Sequence, residues 1–500
     1  MNLIDFTKER AKEFQNKIFL WEGEKSLTYK EFNRVTDRMA AALQVLGLRK
    51  GDHAAVLFPN SLDSLLCYFS IIKAGGTAIP INSLYTPREI AFILNNSEAR
   101  FLLAAGQFQK AVESIQAQAP NLDRAIFRRD EPSILKTLEG LAPSAQSLRP
   151  VDLSSEDNAI IFYTSGTLGQ PKGVMLTHGN FTFSGPNIAR AYGLGEADIT
   201  LAVLPLVHVF ALASPVFGSL SSGGTVVIME RFQAETVLQA LAAYRITWFP
   251  GVPTMFNYIY HALEKGAYDI SSIRMGLSGG ASLSMELLKN WEKRFKAEIL
   301  EVYGLTESTG LVTANPVKGV RKAGSIGLPV CGVQTRLVDK GGREVTRGEV
   351  GELLFKGPNA TKGYWKIPAL TAESIRDGWV YTGDLARQDD DGYFYIVGRK
   401  KDLIITGGYN VYPREIEEVL YTHPAVYEAA VIGVPDEVKG EIPKAFLTLN
   451  PGQQTSEVEI IDFCKANLAP YKVPRQVEIL SELPKSSTGK ILSRELRDKG

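Results

Sequence analysis

Cysteine is scarce in this chain. Cys67, Cys331 and Cys464 are the three among 500 residues, and no two form a C-x-x-C pair. That excludes a disulfide-stapled scaffold and a zinc ribbon, fits a reducing compartment, and predicts a cytoplasmic location. The five histidines are scattered and give no metal-ligand spacing. Charge of one sign is missing too: 55 Lys and Arg balance 55 Asp and Glu. A nucleic-acid partner normally needs a basic excess, so none is expected. The N-terminus MNLIDFTKERAKEF has no apolar signal core. The longest apolar run, LAVLPLVHVFALASPVFGSL at 201–220, is interrupted by Pro205, His208 and Pro215 and is followed by SSGG. The expectation is a helix behind a buried pocket, with no integral membrane segment. There is no repeat period and no low-complexity tract.

Five hundred residues exceed what one core usually serves, so more than one domain is expected. From Asp52 onward, short apolar runs alternate with helical spacings. HAAVLFPN precedes SLDSLLCYFSIIKA, and GGTAIPIN precedes PREIAFILNNS. The rhythm returns in GGTVVIM, ETVLQALAAY and IRMGLSGG. Such alternation implies parallel sheets covered by helices. After about residue 320 short strands with Gly-rich turns take over, as in TRLVDKGGREV and GEVGELLFKGP, and predict an antiparallel subdomain. The last hundred residues read as a small α+β unit. The fold class is therefore α/β: a large N-terminal domain of parallel-rich sheets flanked by helices, with a small antiparallel subdomain, then a small mobile α+β C-terminal domain. The boundary is placed at the charged run Arg399-Lys400-Lys401-Asp402, giving domains 1–399 and 400–500. A plain exposed charged turn is the other reading of that run.

Residues 163–174, YTSGTLGQPKGV, combine glycines, small hydroxyls and one lysine. The P-loop spacing fails, because Pro171 precedes Lys172 and Gly173 follows it. The chemistry still suits an anion. Glycines permit tight curvature, exposed N–H groups and hydroxyls hydrogen-bond phosphate oxygens, and the lysine adds a point charge. By composition alone a solvated hairpin is equally compatible.

Other segments decide between these. YTSGTLGQPKGVMLTH, SGGASL, YGLTES, YTGD, GRKKDLIITGGYNVYPREIEE and PKSSTGK follow one another in that order. Together they resemble the adenylate-forming family, which includes acyl-CoA synthetases, aryl-CoA ligases, beetle luciferases and peptide-synthetase adenylation domains. The likeness runs from about Leu27 to the final helix. It implies that Thr164, Ser165, Gly166, Thr167, Gly169 and Lys172 hold the β- and γ-phosphates of ATP, with Leu168 standing where the family often has a hydroxyl. It implies that Tyr303 stacks on adenine beside Gly279, Gly280, Ala281 and Gly304, and that Thr306 touches the α-phosphate. Glu307, with Thr164, would support Mg²⁺, a hard cation suited to oxygen ligands. Asp384 and Arg399 would bind the ribose. Lys490 would bridge the attacking carboxylate and the α-phosphate, and His208 would position the acid. Lys401 matches the hinge about which the C-terminal domain turns, and Gly407, Gly408 and Tyr409 match the coenzyme A tunnel.

The implied activity is an AMP-forming acid–thiol ligase whose partners are ATP, a carboxylic acid and coenzyme A. The acyl pocket implied by the likeness is lined by Val207, His208, Ala211, Phe249 and Gly251. These segments carry no arginine or lysine, so a second carboxylate would lie unpaired there. A medium- or long-chain fatty acid is expected; an aryl or aryl-propenoic acid, or transfer to a carrier protein, is the alternative. A kinase or ATPase would account for 163–174 alone and leave the later motifs unexplained.

Overall fold

A computed structural model describes residues 1–128, 132–164, 171–263, 266, 268–486 and 489–497. Two large sheets dominate it. One has nine strands, with a parallel stretch running Glu298–Tyr303, Met275–Ser278, Trp248–Gly251, Ile199–Ala202, Thr225–Ile228 and Ile18–Glu22. The other has seven strands, parallel through Asn158–Thr164, Thr77–Pro80, His53–Leu57, Ala99–Ala105 and Arg124–Arg128. Strands such as HAAVL and TVVI are buried along their whole length, because helices cover both faces. One apolar core joins both sheets through the helices Tyr29–Val45, Leu62–Lys73 and His178–Tyr192.

The 201–220 run behaves as its interruptions predict. A strand ends at Ala202, and helix begins only at Val209. Pro215 cannot donate the next backbone bond, and the helix widens into a π-turn over Leu212–Phe217 before Gly218–Ser222. Residues 211–220 are buried. Among the described residues no helix is long and apolar enough to cross a membrane.

The Gly-rich region forms a five-stranded antiparallel sheet in which Gln334–Val338, Gly351–Lys356, Trp379–Gln388 and Phe394–Arg399 are the longer members. Past residue 403, a second five-stranded sheet carries its own apolar clusters. Val426–Asp436 and Gly440–Leu449 are its long strands, covered by helices Pro413–Tyr421 and Glu457–Asn467. This unit packs so that a cavity opens between it and the C-terminal ends of the parallel strands, the usual place for a ligand in open α/β sheets.

Candidate active site

The cavity has a volume of about 300 Å³. Its walls bring together residues that lie far apart in the chain: Gly280 and Ala281, Tyr303 and Gly304, Asp384, Arg399 and Lys490. Each is placed by a different element. Gly280 follows the strand Met275–Ser278 with φ +79°, a conformation that suits glycine. Tyr303 ends the strand Glu298–Tyr303. Asp384 and Arg399 face each other across the antiparallel pair Trp379–Gln388 and Phe394–Arg399.

Asp384 is buried and doubly engaged. Its Oδ1 lies 3.0 Å from Arg399 Nε, and its Oδ2 accepts a 2.6 Å hydrogen bond from the Tyr303 hydroxyl. Burial and the adjacent carboxylate push the Tyr303 phenol up, so it stays a donor. The two bonds fix the tyrosine ring and the carboxylate as one rigid wall. Lys490 enters from the C-terminal unit. Burial, reinforced by Arg399, lowers its ammonium to about 8, whereas Asp384 pulls the other way.

Beside the cavity, Thr306 and Glu307 form a 3₁₀ turn directly after Tyr303. Glu307 Oε1 accepts from the Tyr364 hydroxyl at 2.8 Å, and Lys172 Nζ sits 5.9 Å from the centre of the same ring. Tyr364 thus links the turn to the strand carrying Lys172, with which its own two-residue strand pairs. Thr164 lies opposite Lys172 in the 158–164/172–177 pair. Ser165, Gly166, Thr167 and Gly169 lie outside the described residues. The hydroxyl of Thr164 and the carboxylate of Glu307 are hard oxygen donors. That set fits Mg²⁺, which takes one or two protein oxygens and leaves the rest of its shell to water and phosphate. Among the described residues no group of three His, Cys, Asp or Glu could hold a metal by itself.

Gly279 is buried, and a Cβ there would meet the Phe210 ring at 3.2 Å and Val302 at 3.1 Å. Phe210 therefore lies over the Gly279 backbone, flanked in sequence by Val207, His208 and Ala211. His208 is half-buried, and burial lowers its imidazole to about 4, so it is neutral at pH 7. Phe249 and Gly251 are buried within the main core, where the Phe249 ring meets Phe256 at 5.3 Å; the structure does not bring them to the cavity. Nor does it bring Gly407, Gly408 and Tyr409 there. They form the turn of an exposed hairpin, with Tyr409 stacked on Tyr471 at 4.7 Å. Lys401 is exposed in the turn after Arg399.

Several wall residues escaped the motif reading. Glu301 and Glu417 approach from opposite sides, and burial pushes each carboxyl up to about 7. Arg414 lies near both. A signal existed for Glu301, a charge inside the apolar strand EILEVY; Tyr364 had none.

A sequence model described as AMP-binding enzyme matches residues 7–365, and one described as AMP-binding enzyme C-terminal domain matches 415–490. The chain belongs to the AMP-binding enzyme family. A long-chain-fatty-acid–CoA ligase of Bacillus subtilis is 35% identical over 98% of this chain and 92% of its own length. A feruloyl-CoA synthase of an Amycolatopsis species is 37% identical over 95% of this chain and 94% of its own. Among solved structures, an anthranilate CoA ligase in complex with anthranoyl-AMP superposes with a TM-score of 0.94 at 30% identity, covering 100% of this chain and 97% of that one. As a member of the AMP-binding family the protein is an acyl-CoA ligase. Its substrates are ATP, a carboxylic acid and coenzyme A, and its route passes through an acyl-adenylate.

Proposed function

We propose that this protein is a medium- or long-chain fatty acid–CoA ligase, releasing AMP and diphosphate, and that it works in the cytoplasm. The observation that carries the site assignment is the cavity shared by Tyr303, Asp384, Arg399 and Lys490, with Lys490 supplied by the C-terminal unit. In the first half-reaction a carboxylate oxygen attacks the α-phosphorus of ATP. A carboxylate–phosphate anhydride forms and the bond to the bridging oxygen breaks, releasing diphosphate. Lys490 offsets the charge gathering on the α-phosphate, and Lys172 holds the departing phosphates. Asp384 accepts from the ribose hydroxyls, and Tyr303, held by Asp384, offers its face to adenine. Glu307 and Thr164 would hold Mg²⁺, which neutralises phosphate charge when bound. His208 positions the acid without removing a proton, since a carboxylate is already ionised at pH 7. In the second half the thiol sulfur of coenzyme A attacks the acyl carbon, the thiol proton is lost and AMP departs.

For that step the chain divides into domains 1–399 and 400–500, with Lys401 as the hinge. The smaller domain withdraws Lys490 and presents Gly407, Gly408 and Tyr409 to the pantetheine arm. Their exposure here and their absence from the cavity wall support a second pose. The cytoplasmic assignment is supported by three free cysteines.

Fatty acids are favoured by the apolar 207–214 segment and by the fatty-acid ligase relative. An aryl-propenoic acid is the second reading, favoured by the Phe210 ring packed against Gly279 and by the feruloyl relative. A series from acetate to palmitate, with benzoate and coumarate, separates them by diphosphate release. The expected optimum is a chain of about ten or more carbons, because each buried methylene adds roughly 0.8 kcal/mol. Turnover of aromatic acids alone would overturn the fatty-acid assignment.

A further inference from the structure

The described parts of the motif PKSSTGK, 484–486 and 489–490, pair as the two arms of a hairpin. Lys485 and Ile491 pair at its base, Ser486 N donates to Lys490 O at 2.8 Å, and Lys490 N donates to Ser486 Oγ at 3.2 Å. Whatever fixes Lys485 therefore fixes the backbone from which Lys490 reaches the cavity. Two contacts join this hairpin to one helix of the large unit, Pro253–Ala262. Near the tip, Thr254 Oγ1 donates to Gly489 O at 3.1 Å. At the base, Lys485 Nζ donates to the Tyr258 hydroxyl at 2.8 Å. Thr254 and Tyr258 are four residues apart, so they stand on one face of the helix. One turn further, His261 meets the Tyr427 ring at 5.5 Å, and Tyr427 also meets Tyr258 at 6.2 Å.

We propose that Tyr258 and Lys485 are positioning residues: a latch that holds the Lys490 hairpin in its adenylating place and lets go for the thioester step. The inference rests on the two-pose reading above. Its chemistry suits repeated release. Lys485 is held at 2.9 Å by Glu428, a buried carboxylate of the same C-terminal unit. When the units separate, that pair travels intact and strands no buried charge, the event that makes breaking a buried ion pair costly. The hydroxyls of Tyr258 and Thr254 lose their partners in the hairpin; Tyr258 is 36% exposed and Thr254 half-buried, so water replaces both bonds. The bond is directional and charge-assisted, which fits a device that fixes a hairpin without gluing two units together.

Tyr258→Phe keeps the ring and removes the hydroxyl. In the full-length protein, with the best acid from the series above, kcat for diphosphate release is expected to fall about tenfold, the loss of one charge-assisted hydrogen bond. KM for ATP and acid should stay within about twofold, since no substrate contact is removed. Thioester formation from the synthetic acyl-adenylate and coenzyme A should be unchanged. In a Lys490→Ala background the same substitution should add no further loss, because the latch then has nothing to place. Wild-type adenylation by Tyr258→Phe, or equal losses in both half-reactions, would overturn the latch. If Lys490→Ala itself leaves adenylation untouched, the two-pose reading falls instead.

Discussion

In the proposed reaction Lys490 must be an ammonium, and its surroundings make that charge costly. Burial and the Arg399 guanidinium lower its pKa from 10.5 to about 8. The sign follows from proton counts. Between about pH 8 and 10.5 the docked lysine binds fewer protons than an exposed one, so rising pH favours docking while it removes the charge the chemistry needs. Adenylation, read as kcat/KM for ATP, is expected to level off below about pH 8 and to fall near tenfold per unit above it. Lys490→Arg should carry this basic limb beyond about pH 10, whatever its absolute rate, since arginine stays protonated. A profile flat to pH 10 in the unaltered protein would detach Lys490 from the reaction. His208, lowered to about 4, contributes no titration near neutrality. At this scale the sequence was informative where a residue sat inside a motif. Asp384 and Arg399 were legible through YTGD and VGRKKD, and their pairing at 3.0 Å adds the reason they act together. Tyr364 was not legible. It sits in the two-residue strand Gly363–Tyr364, too short for any period, and reaches Glu307 across 57 positions of chain.

The elements around the cavity depend on a close backbone crossing. A Cβ on Gly304 would stand 1.8 Å from Gly310 O and 2.6 Å from the Gly310 carbonyl carbon. The chain leaves the strand at Tyr303, makes the 306–308 turn and returns over its own start, and glycine at 304 is what lets it pass. Gly310 in turn packs on Ala213 of the π-turn, so the crossing joins the YGLTES segment to the 201–220 run. Gly304→Ala is expected to destabilise the protein by roughly 3 kcal/mol, as forced overpacking against backbone does. Gly280→Ala, whose nearest neighbour would be 3.7 Å away, should cost only about 1 kcal/mol, for its left-handed backbone. Denaturant unfolding of the two variants compares them directly; equal losses would show that the crossing tolerates a methyl. Alternation of apolar runs and helical spacings made the parallel strands readable, since burial on both faces leaves few residue types that fit. The π-turn was beyond that reading. Pro215 announces an interruption, but how the helix absorbs it depends on packing against His178–Tyr192, twenty-odd residues earlier.

Across the whole molecule, the contacts on either side of Lys401 belong to different bodies. Arg399 is tied to Asp384 and Lys400 to Glu352 at 2.9 Å, both on the antiparallel sheet of the large unit. Asp402 is tied to Arg497 at 2.8 Å, in the last helix of the C-terminal unit. Lys401 thus lies between an anchor to the large unit and an anchor within the C-terminal unit, which supports it as the proposed hinge. The sequence pointed here through a run of charges, a weak signal alone; the opposed anchors are a tertiary fact that no local pattern encodes. The same holds for Tyr258 and Lys485, which meet across 227 positions. Proline at 401 fixes φ near −65° and biases residue 400 toward extended backbone, removing the freedom a hinge needs. Lys401→Pro is expected to retain adenylation within a few-fold and to lose at least about a hundredfold in thioester formation from supplied acyl-adenylate, because a positioning defect in one pose alone spares the other. Diphosphate release and thioester production, measured on the same preparation, give the ratio. Equal losses in the two would place the pivot elsewhere, and the Tyr258 latch would then have to release by local movement of Lys485 rather than by rotation of the domain that carries it.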